Sequence, residues 1–335
     1  MPADDHAELQ QQASRLSALV LEAAVRDRSL EVCGIVWLEH INIVTGSREL
    51  AELFYFQGLG LTRDPAKDVG TTMWANIGTR QQFHLVDASE KDGTAQVVDG
   101  CVGLALPDLS ALLKRLSSVS KALKGTRFSF ADLGSCVAVS CPWGNRFFVY
   151  PTAAPSSLEP PEKRQRTRME EANAQVDQGM AVRGEAGIRF LQWHCADAGR
   201  VAHFYEDALG CRVQHDEGSS DAVVCVGPSV HLVFSTAPSP RDQEALRRAS
   251  GVHICVYLCE FKRAYDRLRA KGLVWTNPRF AYLDTCDSYD EAAAGRQFRF
   301  RSLQDSSGGE LAELEHEVRS LRRVQFMKQV YYVAR

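Results

Sequence analysis

Short runs of alternating apolar and polar residues predict strands along most of the chain, and amphipathic patterns predict the helices between them. The run Leu38–Val44 places Ile41 and Ile43 on one side, whereas His40 and Asn42 share the other. Because neighbouring strand residues point to opposite faces, this predicted strand carries polar side chains where a core would need aliphatic ones. The face is therefore either in contact with water or it holds a ligand through the imidazole.

The same order of predicted elements occurs in each half of the chain. In the first unit of the first half, a strand is predicted at 36–44, a helix at 47–58 and further strands at 71–77 and 81–87. In the second unit, a strand is predicted at 100–106, a helix at 108–119 and further strands at 126–131, 135–141 and 146–150. Glycine-containing turns end the predicted helices, as is typical of a helix C-terminus. Each half is therefore predicted to contain two β-α-β-β-β units.

Two internal repeats support the four-unit organisation. Ala51–Leu61 matches Ala202–Cys211 at an offset of 150 residues, and Val102–Leu116 matches Ile254–Leu268 at an offset of 152. Repeats at this spacing indicate duplicated supersecondary units. The predicted fold class is α+β, with cupped mixed sheets whose inner faces enclose a cleft.

Changes in composition predict the boundaries of the domains. Residues 1–33 predict a helical segment with apolar residues at helical spacing, lying on the outside of a domain. Residues 152–185 are rich in Pro, Ser, Ala and charge, which is typical of a flexible linker. Two tandem domains are predicted at 34–151 and at 186–335, the second with a C-terminal extension.

Composition narrows the classes of function. The chain has 335 residues, 45% of them hydrophobic, and a net charge of −3, so neither nucleic acid nor a membrane is an expected partner. Its ten cysteines form no C-x-x-C pair, which favours a reduced, cytoplasmic protein. We expect a monomer or a homodimer that binds a small molecule.

Several segments together resemble the vicinal oxygen chelate superfamily of glyoxalase I, extradiol dioxygenases and bleomycin-resistance proteins. They are "HINIVTGSRELAELFYFQGLGL", "MWANIGTRQQFHLV", "CPWGNRFFVY", "FYEDALGC" and "GVHICVYLCEFKRAYDRLRAKGL". The resemblance covers about residues 36–150 and 186–320. It implies a divalent metal ion held by up to four side chains from the first and last strands of paired units.

The resemblance assigns candidate ligands position by position. In the first half it assigns His40 and His84, and it places Cys101 and Phe148 at the two remaining positions. In the second half it places Gln192 at the position that corresponds to His40, after a two-residue deletion. The next two positions fall on Val233 or His231, and on His253. The last position falls on a glutamate of "GGELAELEHE": Glu313 fits the spacing best, Glu315 is next, and Glu317 lies on the same face.

Two arrangements of the units are compatible with these assignments. If the first unit of one half faces the second unit of the other, His40, His84, His253 and Glu313 or Glu315 form one complete site. The other site, with Gln192, Cys101 and Phe148, would then be degenerate. If each site stays within one half, the ligands are divided between two incomplete sites. The first arrangement is favoured because it collects every good ligand in one place.

Polar residues near these positions are candidates for binding substrate. Asn42 and Gln192 lie on the cleft-facing strands, and "RQFRFR" places Arg299 and Arg301 on one strand face. Arginines on such a face suit a carboxylate or phosphate group through bidentate hydrogen bonds.

Imidazole and carboxylate ligands suit a first-row ion: Zn, Ni, Co, Fe or Mn. Four ligands favour a lyase or isomerase that acts on a substrate with two neighbouring oxygens, with Glu313 or Glu315 moving the proton. Three ligands with Fe(II) would favour an extradiol-type dioxygenase instead. The remaining alternatives are a metal-free binding module of the bleomycin-resistance type and a structural or assembly subunit that has kept the fold. The sequence favours the lyase or isomerase.

Overall fold

The computed structural model describes residues 3–26, 31–65, 72–88, 94–152, 185–237, 243–328 and 330. Residues 153–184 of the predicted linker lie outside the described residues. The chain begins with a long helix, α1 (Ala3–Arg26). No helix among the described residues combines the length and the apolar character needed to cross a bilayer, and the cytoplasmic location stays a prediction.

The first half contains two units of one strand, one helix and three strands. In the first unit, Ser47 caps the helix by accepting a hydrogen bond from the Leu50 amide, and the helix continues as a π-helical segment, Glu52–Gly58. The elements of the two units are β1 (Ile35–Thr45), α2 (Arg48–Ala51), β2 (Thr62–Arg63), β3 (Thr72–Ile77), β4 (Gln81–Asp87), β5 (Gly100–Leu106), α3 (Leu109–Val119), β6 (Ser129–Asp132), β7 (Val137–Ser140) and β8 (Arg146–Pro151).

The second half repeats this order with two departures, an additional helix between its units and a helix in place of one strand. Its elements are β9 (Gly187–Cys195), α4 (Ala198–Leu209), β10 (Val213–Gln214), β11 (Asp221–Cys225), β12 (His231–Thr236), α5 (Gln243–Ala249), β13 (His253–Leu258), α6 (Phe261–Ala270), α7 (Tyr289–Gly295), β14 (Gln297–Gln304) and β15 (Glu310–Ser320). After α6 the chain runs through an irregular segment and α7, where the other units have a strand. The fourth unit therefore contributes three strands rather than four.

Each sheet combines one unit from each half. The first sheet has seven strands in the order β14-β15-β13-β1-β4-β3-β2, and the second has eight in the order β10-β11-β12-β9-β5-β8-β7-β6. The halves meet through the antiparallel pairs β1–β13 and β5–β9. The predicted α+β class with two mixed sheets and an N-terminal helix is confirmed, and the units pair between the halves.

Helix α1 covers one face of the second sheet. Leu16 and Val20 are fully buried in a cluster with Cys101, Phe148 and other residues of that face. Polar contacts at its edges fix its position: Arg15 pairs with Asp221, and the Tyr150 hydroxyl donates to the Ala13 carbonyl. The first sheet has no such helix across its equivalent face among the described residues, and a cleft lies there instead.

Candidate active site

The cleft over the first sheet is open, has a volume of about 530 Å³ and is lined mainly by polar side chains. Strands β1, β3, β4, β13, β14 and β15 supply most of its lining, and the segment before α7 closes one side. The lining residues used below are His40, Asn42, Trp74, His84, His253, Arg279, Phe280, Asp284, Arg299, Glu317, Arg319 and Arg323.

Strand register explains why His40 and Asn42 share a face. Asn42 lies opposite His253 on β13 and opposite His84 on β4, so three strands bring polar side chains to adjacent positions. Ile41 and Ile43 are fully buried in the main core on the other side. The polar face therefore points into the cleft, and the aliphatic face packs beneath the sheet.

Three side chains converge at the floor of the cleft. The ligand atoms that His40, His253 and Glu317 can offer all lie within 4.8 Å of one another. The His253 Nε2 atom is 3.7 Å from Glu317 Oε2, and His40 is only 1% exposed. The His40 Nε2 atom is buried and has no hydrogen-bond partner among the described residues. Two imidazoles and one carboxylate form a donor set that suits a divalent first-row ion, and the Nε2 atom is available to bind it.

His84 lies beside these three residues without converging on them. Its ring stacks on that of His40 with 3.6 Å between centroids and 23° between planes, and it stacks on Trp74 from the other side. Two nearly parallel rings cannot both direct a lone pair at one ion about 2.1 Å from each nitrogen. Burial, together with His40 and Arg319, holds the pKa of His84 well below its ordinary value, so the ring is neutral. In this conformation His84 forms the wall of the site.

Two arginines hold Glu317 in place. Arg319 Nε donates to Glu317 Oε1 at 2.6 Å, and Arg299 Nη2 donates to Oε2 at 2.9 Å. Burial alone would raise the pKa of this carboxyl, but Arg319 and Arg299 hold it well below its usual range. Oε1 also accepts a hydrogen bond from the Cys255 thiol, whereas Oε2 keeps a second lone pair that could face an ion.

The other two candidate glutamates lie elsewhere. Glu313 is partly buried and accepts a hydrogen bond from the Ser250 hydroxyl at 2.9 Å. Glu315 is buried, but its carboxylate accepts from Asn277 and Arg299. Strand β15 has 11 residues and β8 has six. The count of four residues from Gly309 took its spacing from the shorter strand β8. It therefore ended at Glu313, four residues before Glu317.

The candidate substrate-binding residues separate into two groups. Asn42 and Arg299 line the cleft, and Asn42 Oδ1 is buried without a partner. Arg301 is exposed and lies over the Trp275 ring, after a register shift between Phe300 and Ser302. Gln192 is in the second sheet, where its amide donates to Ser235 and its carbonyl oxygen accepts from the Cys101 thiol. Neither Arg301 nor Gln192 reaches the cleft.

No equivalent donor set occurs among the described residues of the second sheet. In the second sheet Gln192 lies opposite Cys101, and in the first sheet Asn42 lies opposite His253. Gln192 therefore occupies the position that corresponds to Asn42, and Phe190 occupies the position that corresponds to His40. The two-residue deletion is thus absent. The positions equivalent to His40, His84, His253 and Glu317 are occupied by Phe190, Val233, Cys101 and Phe148, and all four belong to the cluster beneath α1.

Three charged residues at the cleft were not singled out from the sequence. Glu39 contacts His40, and Arg319 pairs with both Glu39 and Glu317. Asp284 lies against Arg299, and burial raises the pKa of its carboxyl. Its Oδ1 atom is buried and has no hydrogen-bond partner in the part of the chain that the structure describes. Asp284 comes from an irregular segment, where no periodic pattern marks a residue as cleft-facing. Arg319 could have been found, since it lies two residues from Glu317 on the same strand face.

Comparison with known proteins gives one family match and several distant structural neighbours. Residues 190–273 match the family model described as a glyoxalase-like domain. A putative dioxygenase from Bacillus subtilis is 15% identical, covers 86% of each chain and has a TM-score of 0.49. A mutant of glyoxalase I from Zea mays is 13% identical, covers 84% of this chain and 93% of its own, and also has a TM-score of 0.49.

A third neighbour is the 2,3-dioxygenase LapB from Pseudomonas sp. KL28, at 14% identity, 91% and 96% coverage and a TM-score of 0.30. No curated protein matches the chain in sequence. The family match lies within the four-unit fold described above and confirms the resemblance predicted from the sequence. The chain therefore matches a glyoxalase-like domain over residues 190–273, which include parts of both units of the second half.

Proposed function

We propose that the chain is a metal-dependent enzyme that acts on a small anionic substrate with two neighbouring oxygens. The observation that carries this proposal is the convergence of His40, His253 and Glu317, with the buried and unpaired Nε2 atom of His40 at its centre. A buried polar atom without a partner is costly, so such an atom in a cleft indicates a group that it binds.

His40, His253 and Glu317 would hold the ion, which we propose is Zn, Ni, Co, Fe or Mn. When bound, such an ion supplies Lewis-acid polarisation of the two substrate oxygens. Arg319 and Arg299 keep Glu317 ionised, and burial keeps His253 neutral, so these two donors are in the protonation state that a ligand needs.

Two further arginines favour an anionic substrate. Arg279 and Arg323 line the cleft, and neither forms an ion pair with a carboxylate of the described residues. Arg323 donates to the Gly295 carbonyl and to Gln325, and Arg279 lies over the Phe280 ring. Guanidinium groups that lack a protein carboxylate suit a carboxylate or phosphate group on the substrate.

We propose a lyase or isomerase reaction, with Asp284 as the group that moves the proton. Asp284 Oδ2 and Glu317 Oε2 both contact Arg299 Nη2, at 3.3 and 2.9 Å, so the Asp284 carboxyl lies within two hydrogen-bond lengths of the triad. Its raised pKa and its Oδ1 atom suit an acid-base group better than the Glu313 carboxylate does, since that carboxylate already accepts a hydrogen bond from the Ser250 hydroxyl. Neutral His84 is a second base in the same cleft.

An extradiol-type dioxygenase is the second candidate, because three ligands converge rather than four. Two histidines and one carboxylate with open positions are typical of non-haem Fe(II) oxygenases. This reaction would need O₂ and a redox-active ion in addition to what the residues supply, and we therefore place it second.

The test is the metal content of protein purified without a histidine tag. We expect about one equivalent of a divalent ion per chain in the wild type and in His203→Ala, whose histidine is exposed on α4. His40→Ala and His253→Ala should lose the ion. Protein that takes up no ion under any loading condition would leave the metal-free binding module as the better reading.

The same preparations separate the two reactions. With Fe(II) loaded, oxygen consumption on addition of catechol-type compounds would favour the dioxygenase. Loss of solvent-proton exchange into a bound 2-hydroxyketone in Asp284→Asn, with the metal content unchanged, would support the lyase or isomerase.

A further inference from the structure

Glu39 occupies an irregular position in β1. Along the β1–β13 pair, Leu38 lies opposite Val256 and His40 lies opposite Cys255, so β1 has one extra residue at Glu39. An extra residue of this kind is a β-bulge, which bends the strand and re-aims the neighbouring side chain. Because of the bulge, Glu39 and His40 do not simply alternate between the two faces, and their side chains can meet.

The Glu39 carboxylate has three partners. His40 Nδ1 lies 3.0 Å from Oε2, the Tyr257 hydroxyl donates to Oε1 at 2.9 Å, and Arg319 donates to Oε2. Arg319 keeps the carboxylate ionised, and an ionised carboxylate can only accept hydrogen bonds. The proton in the His40–Glu39 contact must therefore reside on Nδ1.

We infer that Glu39 is a positioning residue that fixes His40 as the Nδ1–H tautomer and aims its Nε2 lone pair at His253 and Glu317. This inference rests on the proposed function, since an aimed lone pair matters only if Nε2 binds something. It assigns the two nitrogens different tasks: Nδ1 anchors the ring, and Nε2, which has no protein partner, faces the site. A carboxylate behind a histidine ligand also raises the basicity of the ligating nitrogen.

The second sheet offers an internal comparison. Between Gly103 and Leu104 the register of β9 shifts from Phe190 to Ile188, so Arg189 is the extra residue of an equivalent bulge. Arg189 lies over the ring of Tyr150, with 4.7 Å between its guanidinium carbon and the ring centroid. The equivalent pair in the first sheet is Glu39 and Arg319, whose side chains are in contact. The backbone irregularity is thus common to both sheets, whereas the acid occurs only where a histidine follows it.

A second ion on the Nδ1 side of His40 is a weaker explanation of the same geometry. Glu39, His40 and Cys255 also offer donor atoms within 4.8 Å of one another. The Arg319 guanidinium already contacts Glu39 there, and a cation would be repelled by it. Burial also raises the pKa of the Cys255 thiol well above its ordinary value, which disfavours the thiolate that an ion would need.

The test uses the ring ¹⁵N chemical shifts of His40 in metal-free protein, with Zn²⁺ affinity as a second readout. In the wild type we expect the Nδ1–H tautomer. Glu39→Ala should give a mixture of tautomers and a 10- to 100-fold weaker Zn²⁺ affinity, by analogy with other carboxylate–histidine pairs. Glu39→Gln keeps an acceptor oxygen, so the tautomer should be retained while the affinity falls by a smaller factor.

Glu52→Ala is the matched control, because Glu52 is an acid of the same half that pairs with Arg48 and Arg63 away from the cleft. Wild-type tautomer and affinity in a folded Glu39→Ala variant would overturn the inference. If Glu39→Ala does not fold, unchanged affinity in Glu39→Gln would overturn it equally, and a severalfold loss would support it. A wild type that binds no Zn²⁺ would remove the proposed function, whereas the tautomer result would still decide the role of Glu39.

Discussion

At the scale of single residues, burial keeps three imidazoles of this protein neutral. Burial lowers the pKa of His316 to about 3, and it holds the pKa of His84 and His253 well below the ordinary value. His316 lies on the helix side of the first sheet, where its ring stacks on Phe300 and Nε2 shares a hydrogen bond with the Tyr205 hydroxyl. Folding therefore excludes a proton from each of these rings.

This exclusion predicts how stability depends on pH. Above about pH 6.5 such a histidine is neutral in both the folded and the unfolded state. Below that pH the unfolded chain binds a proton that the folded chain does not bind, so acidification favours unfolding. The contribution of His316 is thus fully present above pH 6.5 and is lost as the pH falls towards 3.

Urea unfolding of metal-free protein between pH 7.5 and 5 checks the sign. The free energy of unfolding should fall more steeply on acidification in the wild type than in His316→Gln, by up to about 1.4 kcal/mol per pH unit. Equal slopes in the two proteins would contradict the assignment. Buried acids titrate in both proteins alike, so the difference isolates His316.

The sequence predicted part of the site at this scale. The alternation around His40 and Asn42 was enough to predict a polar cleft face, and both His40 and His253 belong to the triad. Glu317 could not be identified as the ligand from the sequence, because three glutamates share one strand face. Only the register of β15 against β13 distinguishes them. Asp284 was missed because its position depends on an irregular segment and on the ion pair with Arg299.

At the scale of elements, α1 distinguishes the two sheets. Its apolar stripe was correctly expected to form a helix, and the structure places it over the sheet that lacks ligand residues. The side chains beneath it are Phe, Val and Cys where the first sheet has His and Glu, so an apolar helix can cover that sheet without burying unpaired charges. The helix thus occupies the face that is a cleft in the first sheet.

Shortening one side chain of α1 tests this arrangement. Leu16→Ala should lower the free energy of unfolding by about 2–5 kcal/mol, since Leu16 is fully buried against the second sheet. Leu19→Ala is the matched control, because Leu19 is only partly buried at the edge of the same cluster, and it should cost less. Metal content should not change in either variant. An equal effect of both changes would contradict the position of the helix.

At the scale of the whole molecule, the sheets do not follow the halves of the sequence. The first half supplies β1–β4 to one sheet and β5–β8 to the other, and the second half completes both. The order of units could be predicted from the repeats, whereas only the distribution of the ligand residues favoured their pairing between the halves, because each unit has the same apolar pattern and would fit either partner. The site depends on this pairing: His40 comes from one half, and His253 and Glu317 come from the other.

Separating the halves should therefore destroy both folding and the site. A half expressed alone leaves the edges of two strands unpaired, β1 and β5 in the first half or β9 and β13 in the second, and exposed edges favour aggregation. We expect residues 31–152 and 185–330 to aggregate when expressed separately and to form a soluble complex when expressed together, as size-exclusion chromatography would show. Two soluble halves that each unfold cooperatively would contradict the exchanged sheets.

The central claim is that one ion binds His40, His253 and Glu317, and anomalous X-ray diffraction from crystals loaded with Co²⁺ or Zn²⁺ tests it most directly. One strong peak is expected in the cleft of the first sheet, about 2.1 Å from His40 Nε2 and bonded also to His253 and Glu317. No peak is expected near Gln192 and Cys101 beneath α1. A peak at Glu313, a peak in the second sheet, or an empty cleft in fully loaded crystals would contradict the claim.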